Sequence, residues 1–312
     1  MGIWRSRSGS EDHIVSSTFA DLINETHLVL TGYTQRQDQV TYLIGAMLST
    51  DLSFVVKDGT VLSKGMIEID DELIWVDSFN KATNVALVTP QGRGYRGTAA
   101  VAHTAGTRVI ISPSFPRFSI ERNINSAIDA IYPDLFGMGS VTFPFSPSVT
   151  TYALPIDTID IMAIMWQTIG PSKEWLPVRH YRVDRMADPT TWVTAKTVSL
   201  GDNIVPGRTV SIRYSNKPST LTNQTDIFET VTGLPTSSRE VIILGAAYRM
   251  AVYLDLGRVP TSSAESDSMG AANPIGSAVN ISRALKSMYQ DRLMIEIRRQ
   301  QEQFPPRVHI SR

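Results

Sequence analysis

RFSIERNINSAIDAIYPDLF, residues 117–136, decides how the rest of the chain is read. Ile120, Ile124, Ala127, Ile128 and Ile131 fall at i, i+4, i+7, i+8 and i+11, the spacing of one helix face. Pro133 stops the helix, because the residue before a proline is pushed out of helical dihedrals. The segments on either side change period. Residues 40–113 contain VTYLIGAML, LSFVV, MIEI, LIWVDSF, NVALVT and TRVIIS, six short runs rich in β-branched and aromatic residues. Asp58-Gly59, Asp70-Asp71, Asn80-Lys81 and Gln91-Gly92 stand between them as turn chemistry. Runs this short and this closely spaced predict a small barrel or sandwich. Residues 139–215 repeat the pattern with VTFPF, TYALP, IDIMAIMWQTI, WLPVRHYRV, WVTAKTVSL and RTVSIRYS, a second β block with no residue-level likeness to the first.

Further out, the chain is helical again. Thr18 with Asp21 three residues on is a capping signal for a short helix with Phe19, Leu22, Ile23 and Leu28 on its apolar side, ended by Gly32. Residues 237–257 are apolar on nearly every face, which predicts a buried central helix, with Ser237 and Glu240 as its capping box and Gly257 beyond its end. Arg249 in its middle calls for a carboxylate or carbonyl partner. Residues 260–277, rich in Ser, Gly, Ala and Pro, read as a mobile loop. A last helix from Ala278 to Gln303 carries Ile281, Leu285, Tyr289, Leu293 and Ile297 at i+4 intervals. Arg283, Lys286, Asp291, Arg292 and Glu296 stand mostly elsewhere on it.

The expectation is therefore an α+β fold: one helical hub assembled from four dispersed helices, with two inserted antiparallel β modules. Its parts are a flexible arm at 1–16, the hub at 17–33, 114–138 and 236–303, the β modules at 34–113 and 139–235, and a tail at 304–312. Ile124, Ile128, Ile243, Leu244, Leu285 and Leu293 are the expected hub core.

Composition excludes several function classes. An apolar fraction of 42% is too high for a disordered chain. A net charge of −1 gives no basic domain for gripping nucleic acid. With no cysteine there is no disulfide and no thiolate chemistry, which suits folding in a reducing cytoplasm. The first residues have no apolar signal core, and no run is long enough to span a membrane.

The motifs read as structure. GRGYRG at 92–97 matches a dinucleotide fingerprint, but Pro90 separates it from the preceding strand and no helix follows, so a hairpin with glycines at positive φ is expected. His13, His27, His103, His180 and His309 lie far apart and most are expected at the surface, with no metal site among them. Asp70, Asp71 and Glu72 lack the spacing of a calcium loop and read as a turn. Tyr152, Trp166, Trp175, Tyr181, Trp192 and Tyr214 are read as strand-packing residues rather than sugar-stacking ones. No nucleophile elbow or phosphate loop is present, so no catalytic residue and no cofactor is assigned. The C-terminal FPPRVHISR is read as a docking tail, with Phe304 and Ile310 as apolar anchors, Pro305 and Pro306 as stiffeners, and Arg307 and Arg312 as carboxylate ligands.

These residues carry a resemblance. Met66 to Val109 resembles a β module recurrent in phage structural proteins, in Glu72, Leu73, Ile74, Arg93, Gly94, Gly97, Thr98, Ala100, His103 and Gly106. Arg117 to Phe136 is similar to the helix of phage head-to-tail adaptor proteins that ends in Y-P-x-L-F. TYALP at 151–155 and LGAAYRM at 244–250 resemble neck proteins of phages infecting actinobacteria. The resemblance implies a non-enzymatic virion protein of the neck between capsid and tail, assembled in the bacterial host cytoplasm. It implies a homo-oligomeric ring, commonly of twelve copies, beneath the portal protein. Such a ring extends the channel through which double-stranded DNA passes and offers a platform to the next neck protein, a stopper or tail terminator. A ring of this kind needs two different complementary faces on each subunit. The other reading kept open is a tail or baseplate protein whose β modules bind host-surface glycan.

Overall fold

The computed structural model describes residues 17–33, 37–170, 173–252 and 277–304. Helix α1 (Phe19–Thr31) opens with the capping box foreseen for Thr18 and Asp21. Strands β1 (Gln39–Tyr42), β2 (Ser53–Val55), β3 (Gly65–Ile69), β4 (Glu72–Asn80), β5 (Val85–Val88) and β6 (Arg108–Ile111) follow. They form one antiparallel sheet in the order β1-β6-β3-β4-β5-β2. The sheet curls until its edges meet: the Ile44 N–H donates to the Val55 carbonyl (2.9 Å) and the Lys57 N–H to the Tyr42 carbonyl (2.8 Å). Closure of this kind satisfies the edge groups a flat sheet would leave open. VTYLIGAML is thus a strand only to Tyr42; beyond it Leu43 and Met47 make single bridges to Val56 and His103. Leu43, Val56, Ile67, Ile69, Ile74, Val76 and Val109 fill the barrel.

Helix α2 (Arg117–Ala130) leads out of the barrel. Strands β7 (Gly137–Pro144), β8 (Thr151–Ala153), β9 (Thr158–Gln167), β10 (Trp175–Pro177), β11 (Tyr181–Asp184), β12 (Thr197–Leu200) and β13 (Thr209–Asn216) build two sheets, β10-β9-β13-β7 and β11-β12-β8. One core, including Ile161, Ile164, Val198, Val210 and Ile212, lies between them, so this module is a sandwich. WLPVRHYRV splits into β10 and β11, one in each sheet; the turn between them is held by the Asp202 carboxylate, which accepts from the Arg179 and His180 N–H groups.

The chain then returns to the hub. Leu221, Phe228 and Leu234, which fall within the 139–235 bounds expected for the second β module, belong to the hub core, and a short helix α3 (Phe228–Thr232) stands among them. Helices α4 (Arg239–Ala251) and α5 (Ser277–Gln303) complete it. Val241, Ile242, Ala246 and Ala247 of α4 are fully buried against α1, α2 and α5. Gly245 makes the close approach feasible: a Cβ there would lie 3.1 Å from the Ala127 Cβ and 3.2 Å from the Tyr289 ring. The i+4 stripe of α5 packs on this core, Leu285 fully and Ile281, Tyr289, Leu293 and Ile297 partly.

Two local expectations are corrected, at Ser237 and at Leu244 and Leu293. Ser237 makes no capping box; its hydroxyl donates to Glu296 (2.6 Å), and the N-cap is Ser238. Arg249 finds neither carboxylate nor carbonyl among the described residues; its Nε donates to the Tyr248 hydroxyl (3.2 Å) and its guanidinium lies over that ring. Leu244 and Leu293 are only half-buried. Leu285→Ala is therefore the sharper test of the hub. It should lower the unfolding free energy by about 3 kcal/mol, the usual cost of a fully buried leucine, whereas Leu244→Ala should cost clearly less. Urea titration monitored by circular dichroism checks both; equal losses would contradict the packing.

Candidate functional site

The most polar buried site lies in the barrel. Asp70 and Asp71 form the two-residue turn between β3 and β4, with Asp70 at φ 53°. Glu72 is not part of that turn. It begins β4 and its side chain is 0% exposed. Arg93 reaches it with two parallel bonds, Nε to Oε1 at 2.8 Å and Nη2 to Oε2 at 3.0 Å. The other guanidinium donors go to the carbonyls of Leu48 (2.7 Å), Asp51 (2.8 Å) and Val101 (2.8 Å), so all five are used. Glu72 also accepts from the N–H groups of Gly94 and Val101. GRGYRG is thus not a hairpin. It folds as two 3-10 turns around this carboxylate, with Gly94 and Gly97 at positive φ.

His103 is buried here, one of the five histidines that does not share the surface place expected of most. Its Nδ1 lies 2.8 Å from Asp70 Oδ2 and its Nε2 2.9 Å from Glu72 Oε2. Burial pushes its pKa down, but the bonds to Glu72 and Asp70 outweigh this and raise it overall. Burial pushes Glu72 up, yet the donors from His103, Arg93 and the two backbone groups hold it at about 2. Both imidazole nitrogens are engaged by carboxylates, and the cluster ties residues 93–106 to the barrel wall.

A second cluster joins barrel to hub. Glu68 sits on β3 between Ile67 and Ile69, where alternation puts it on the outer barrel face. The start of α2 covers that face, and Glu68 is 2% exposed, its Oε2 accepting from the Arg117 N–H at 2.9 Å. Arg117 also bonds Asp71 (3.1 Å) and Asn24 of α1 (2.7 Å), and Gln224 donates to Asp71. Burial raises the Glu68 pKa to about 7 against the opposing Arg117 bond. A carboxyl with a folded pKa above its ordinary 4.5 contributes stability that is complete below 4.5 and lost as pH rises through 7. Glu68→Gln should therefore gain on the wild type as pH rises from 5 to 8, by roughly 2–3 kcal/mol. Parallel pH profiles of unfolding free energy would contradict this.

The third site is the end of α5, the root of the expected docking tail. Gln300 is buried, bonding the Phe136 carbonyl (2.8 Å) and the Phe136 N–H (3.3 Å). Glu296, which the apolar stripe had placed off the core, is 2% exposed and joins Ser237, Arg292 and Arg299. These bonds fix the last turns of α5 beside Phe136, where the second β module begins. Phe304 is half-buried and its N–H donates to the Gln300 carbonyl (2.9 Å). Pro305, Pro306, Arg307, Ile310 and Arg312 lie outside the described residues, as do the arm at 1–16, His13, His309, Gly257 and most of the 260–277 segment. Of the six aromatics of the second module only Trp175 is exposed; Tyr214 is buried, and Tyr152 stacks on Phe143 at 4.2 Å.

Residues 98–307 match the family model described as SU10 adaptor protein. The matched stretch begins inside the Arg93–Gly106 segment and takes in β6, α2, the sandwich and α3 to α5; α1 and β1 to β5 precede it. No curated protein matches the chain.

Proposed function

The chain belongs to the SU10 adaptor protein family, and from that premise we propose that it forms the head-to-tail adaptor ring beneath the phage portal. The chain is a phage structural adaptor protein, a virion component, on the strength of that match over most of its length. The finer reading is a closed ring, of twelve copies as commonly in such necks, that extends the DNA channel and receives a stopper or tail terminator. The likeness to neck proteins of phages infecting actinobacteria belongs to this proposal, as does assembly in the host cytoplasm. The tail from Phe304 onward docks on the portal or a neighbouring copy, and the pinned end of α5 supports this by giving the tail a fixed point of departure. No helix among the described residues is long and apolar enough to cross a membrane. The role is mechanical: His103, the one fully buried histidine described, has both nitrogens committed.

Glycan binding by the β modules is not favoured, since the aromatics of the second module are mostly packed inward. The test is to mix the purified protein with purified portal rings. Comigration in sedimentation and added ring density in electron micrographs are expected; separate sedimentation at micromolar concentrations would refute the adaptor role.

A further inference from the structure

Strand β7 is the last of its sheet: it pairs with β13 along its whole length, and no described strand lies on its other side. The ladder decides which backbone groups are left over. Phe145, next in register after β7, donates its N–H to the Arg208 carbonyl (2.7 Å), so Phe143, Val141 and Gly139 bond β13 by alternation. Met138 has the other parity, and its N–H turns away from β13 to the Gly233 carbonyl (3.0 Å). Ser140 and Thr142 share that parity. Both are exposed, their N–H and C=O groups point out along the edge, and no other backbone group among the described residues bonds to them. The usual protections of an edge are missing. GMGSVTFP carries no charge, its register has no bulge, and its one proline is its last residue. Val141 and Phe143, on the inward face, are only partly buried against the sandwich core. The edge can therefore take one more strand on backbone bonds, with apolar positions at every second residue.

We propose that residues 307–312 of a neighbouring copy add to this edge as an antiparallel strand. RVHISR alternates as the edge requires. With His309 opposite Thr142 and Ser311 opposite Ser140, each pair exchanges two backbone bonds, and Val308 and Ile310 extend the apolar face of Phe143 and Val141. Six residues at 3.3 Å each span about 20 Å, enough to cover the edge from Ser140 to Pro144. Pro305 and Pro306 cannot continue α5 and separate the added strand from it. The root of the tail says which copy supplies it. Gln300 holds Phe136, the residue before β7, so a chain's own tail sets out from the end where its own β7 begins and would run parallel to it. Parallel pairing is the weaker kind, and every pair in the sandwich is antiparallel. A tail arriving from a neighbour runs the other way. Each copy then gives one strand and receives one, the two unlike complementary faces of a closing ring. This inference rests on the docking tail proposed above and names its acceptor.

The experiment adds a synthetic peptide of residues 304–312 to the full-length isotope-labelled protein and follows the amides of Ser140 and Thr142. Without peptide both should exchange quickly with solvent; slow exchange there would mean that the chain's own tail covers the edge, and would overturn transfer between copies. With peptide, saturable shifts and slowed exchange at both amides are expected. Methylating the peptide nitrogens of His309 and Ser311 should abolish binding, and methylating those of Val308 and Ile310 should leave it, a pattern that side-chain docking alone does not produce. Loss with the Val308 and Ile310 set, or equal effects of the two sets, overturns the assignment. Thr142→Pro should weaken binding about tenfold, because it removes one edge donor, while the rest of the spectrum stays. Pro144 already stands at the same parity of the strand, and an edge tolerates proline where the N–H faces outward. A peptide that leaves the wild-type spectrum unchanged rules out this acceptor. Cosedimentation of the full chain with portal rings reads the adaptor role separately, so the two failures are distinguishable.

Discussion

Replacing Arg93 by alanine is expected to destabilise the protein by about 3–5 kcal/mol, the largest loss for any single side chain of the barrel. The reason is what it leaves behind. Glu72 has a side chain with no exposure and would keep its charge without a counter-ion. The carbonyls of Leu48, Asp51 and Val101 would lose their donors at the same time. Removing one partner of a buried pair costs far more than the pair contributes over an apolar substitute, because the surviving charge cannot be rehydrated. Arg93→Lys should not rescue it, since an ammonium has three donors and no fork to match the Glu72 carboxylate. Urea unfolding with a tryptophan probe reads the effect, Trp75 lying on β4 itself. A loss below about 1 kcal/mol, the scale of an exposed ion pair, would show that the network is not what holds the 93–106 segment.

The same network has a pH window. Glu72, held at about 2, contributes stability that is complete above its ordinary 4.5 and lost as pH falls toward 2. His103, raised above its ordinary 6.5, contributes stability that is complete below 6.5 and lost as pH climbs through its folded value. Both contributions are whole only between about 4.5 and 6.5. Arg93→Ala should therefore become more harmful relative to wild type as pH rises from about 2 to 4.5, where Glu72 takes up the charge that Arg93 answers.

Period and punctuation made the architecture legible. The stripe from Ile120 to Ile131 and the one from Ile281 to Ile297 appear in the hub as read, because a helix face repeats every 3.6 residues whatever it packs against. Strand runs were equally plain where turn residues bound them. What stayed hidden depended on contacts distant in sequence. Glu68 was not singled out, because alternation along β3 turns it outward from the barrel; only the approach of α2, some 49 positions later, buries it. Glu72 looked like the third member of an acidic turn, but its partners come from 21 to 31 residues on. The one available signal was chemical: Arg93, His103 and two acids within a single module containing positive-φ glycines. Ser237 was read as a cap because local spacing allowed it, and Glu296, 59 residues away, claimed the hydroxyl instead. Glu296 and Gln300 were missed for the same reason, being polar residues on a face whose neighbours are apolar.

Deleting residues 305–312 should leave the melting temperature unchanged within about 1 °C while reducing infectious particles by several orders of magnitude. The first half follows from where α5 is fixed. Gln300 and Glu296 hold the helix to Phe136 and Ser237 upstream of the cut, and Phe304, with its N–H on the Gln300 carbonyl, is retained. The second half follows from the tail's chemistry. Pro305 and Pro306 limit the conformations lost on docking, Ile310 supplies an anchor, and Arg307 and Arg312 can each grip a carboxylate with two bonds. Because α5 ends beside the start of the second β module, the tail departs from one defined place on every copy, and a ring would present the tails as an even circle toward its partner. The truncated protein should fold, elute at the wild-type monomer position and fail to cosediment with portal rings. Arg307→Ala with Arg312→Ala should weaken that association without abolishing it, since Ile310 remains. Normal titres from a phage carrying the truncation would rule out docking through the tail, and a lowered melting temperature would mean that the tail serves the fold of its own subunit.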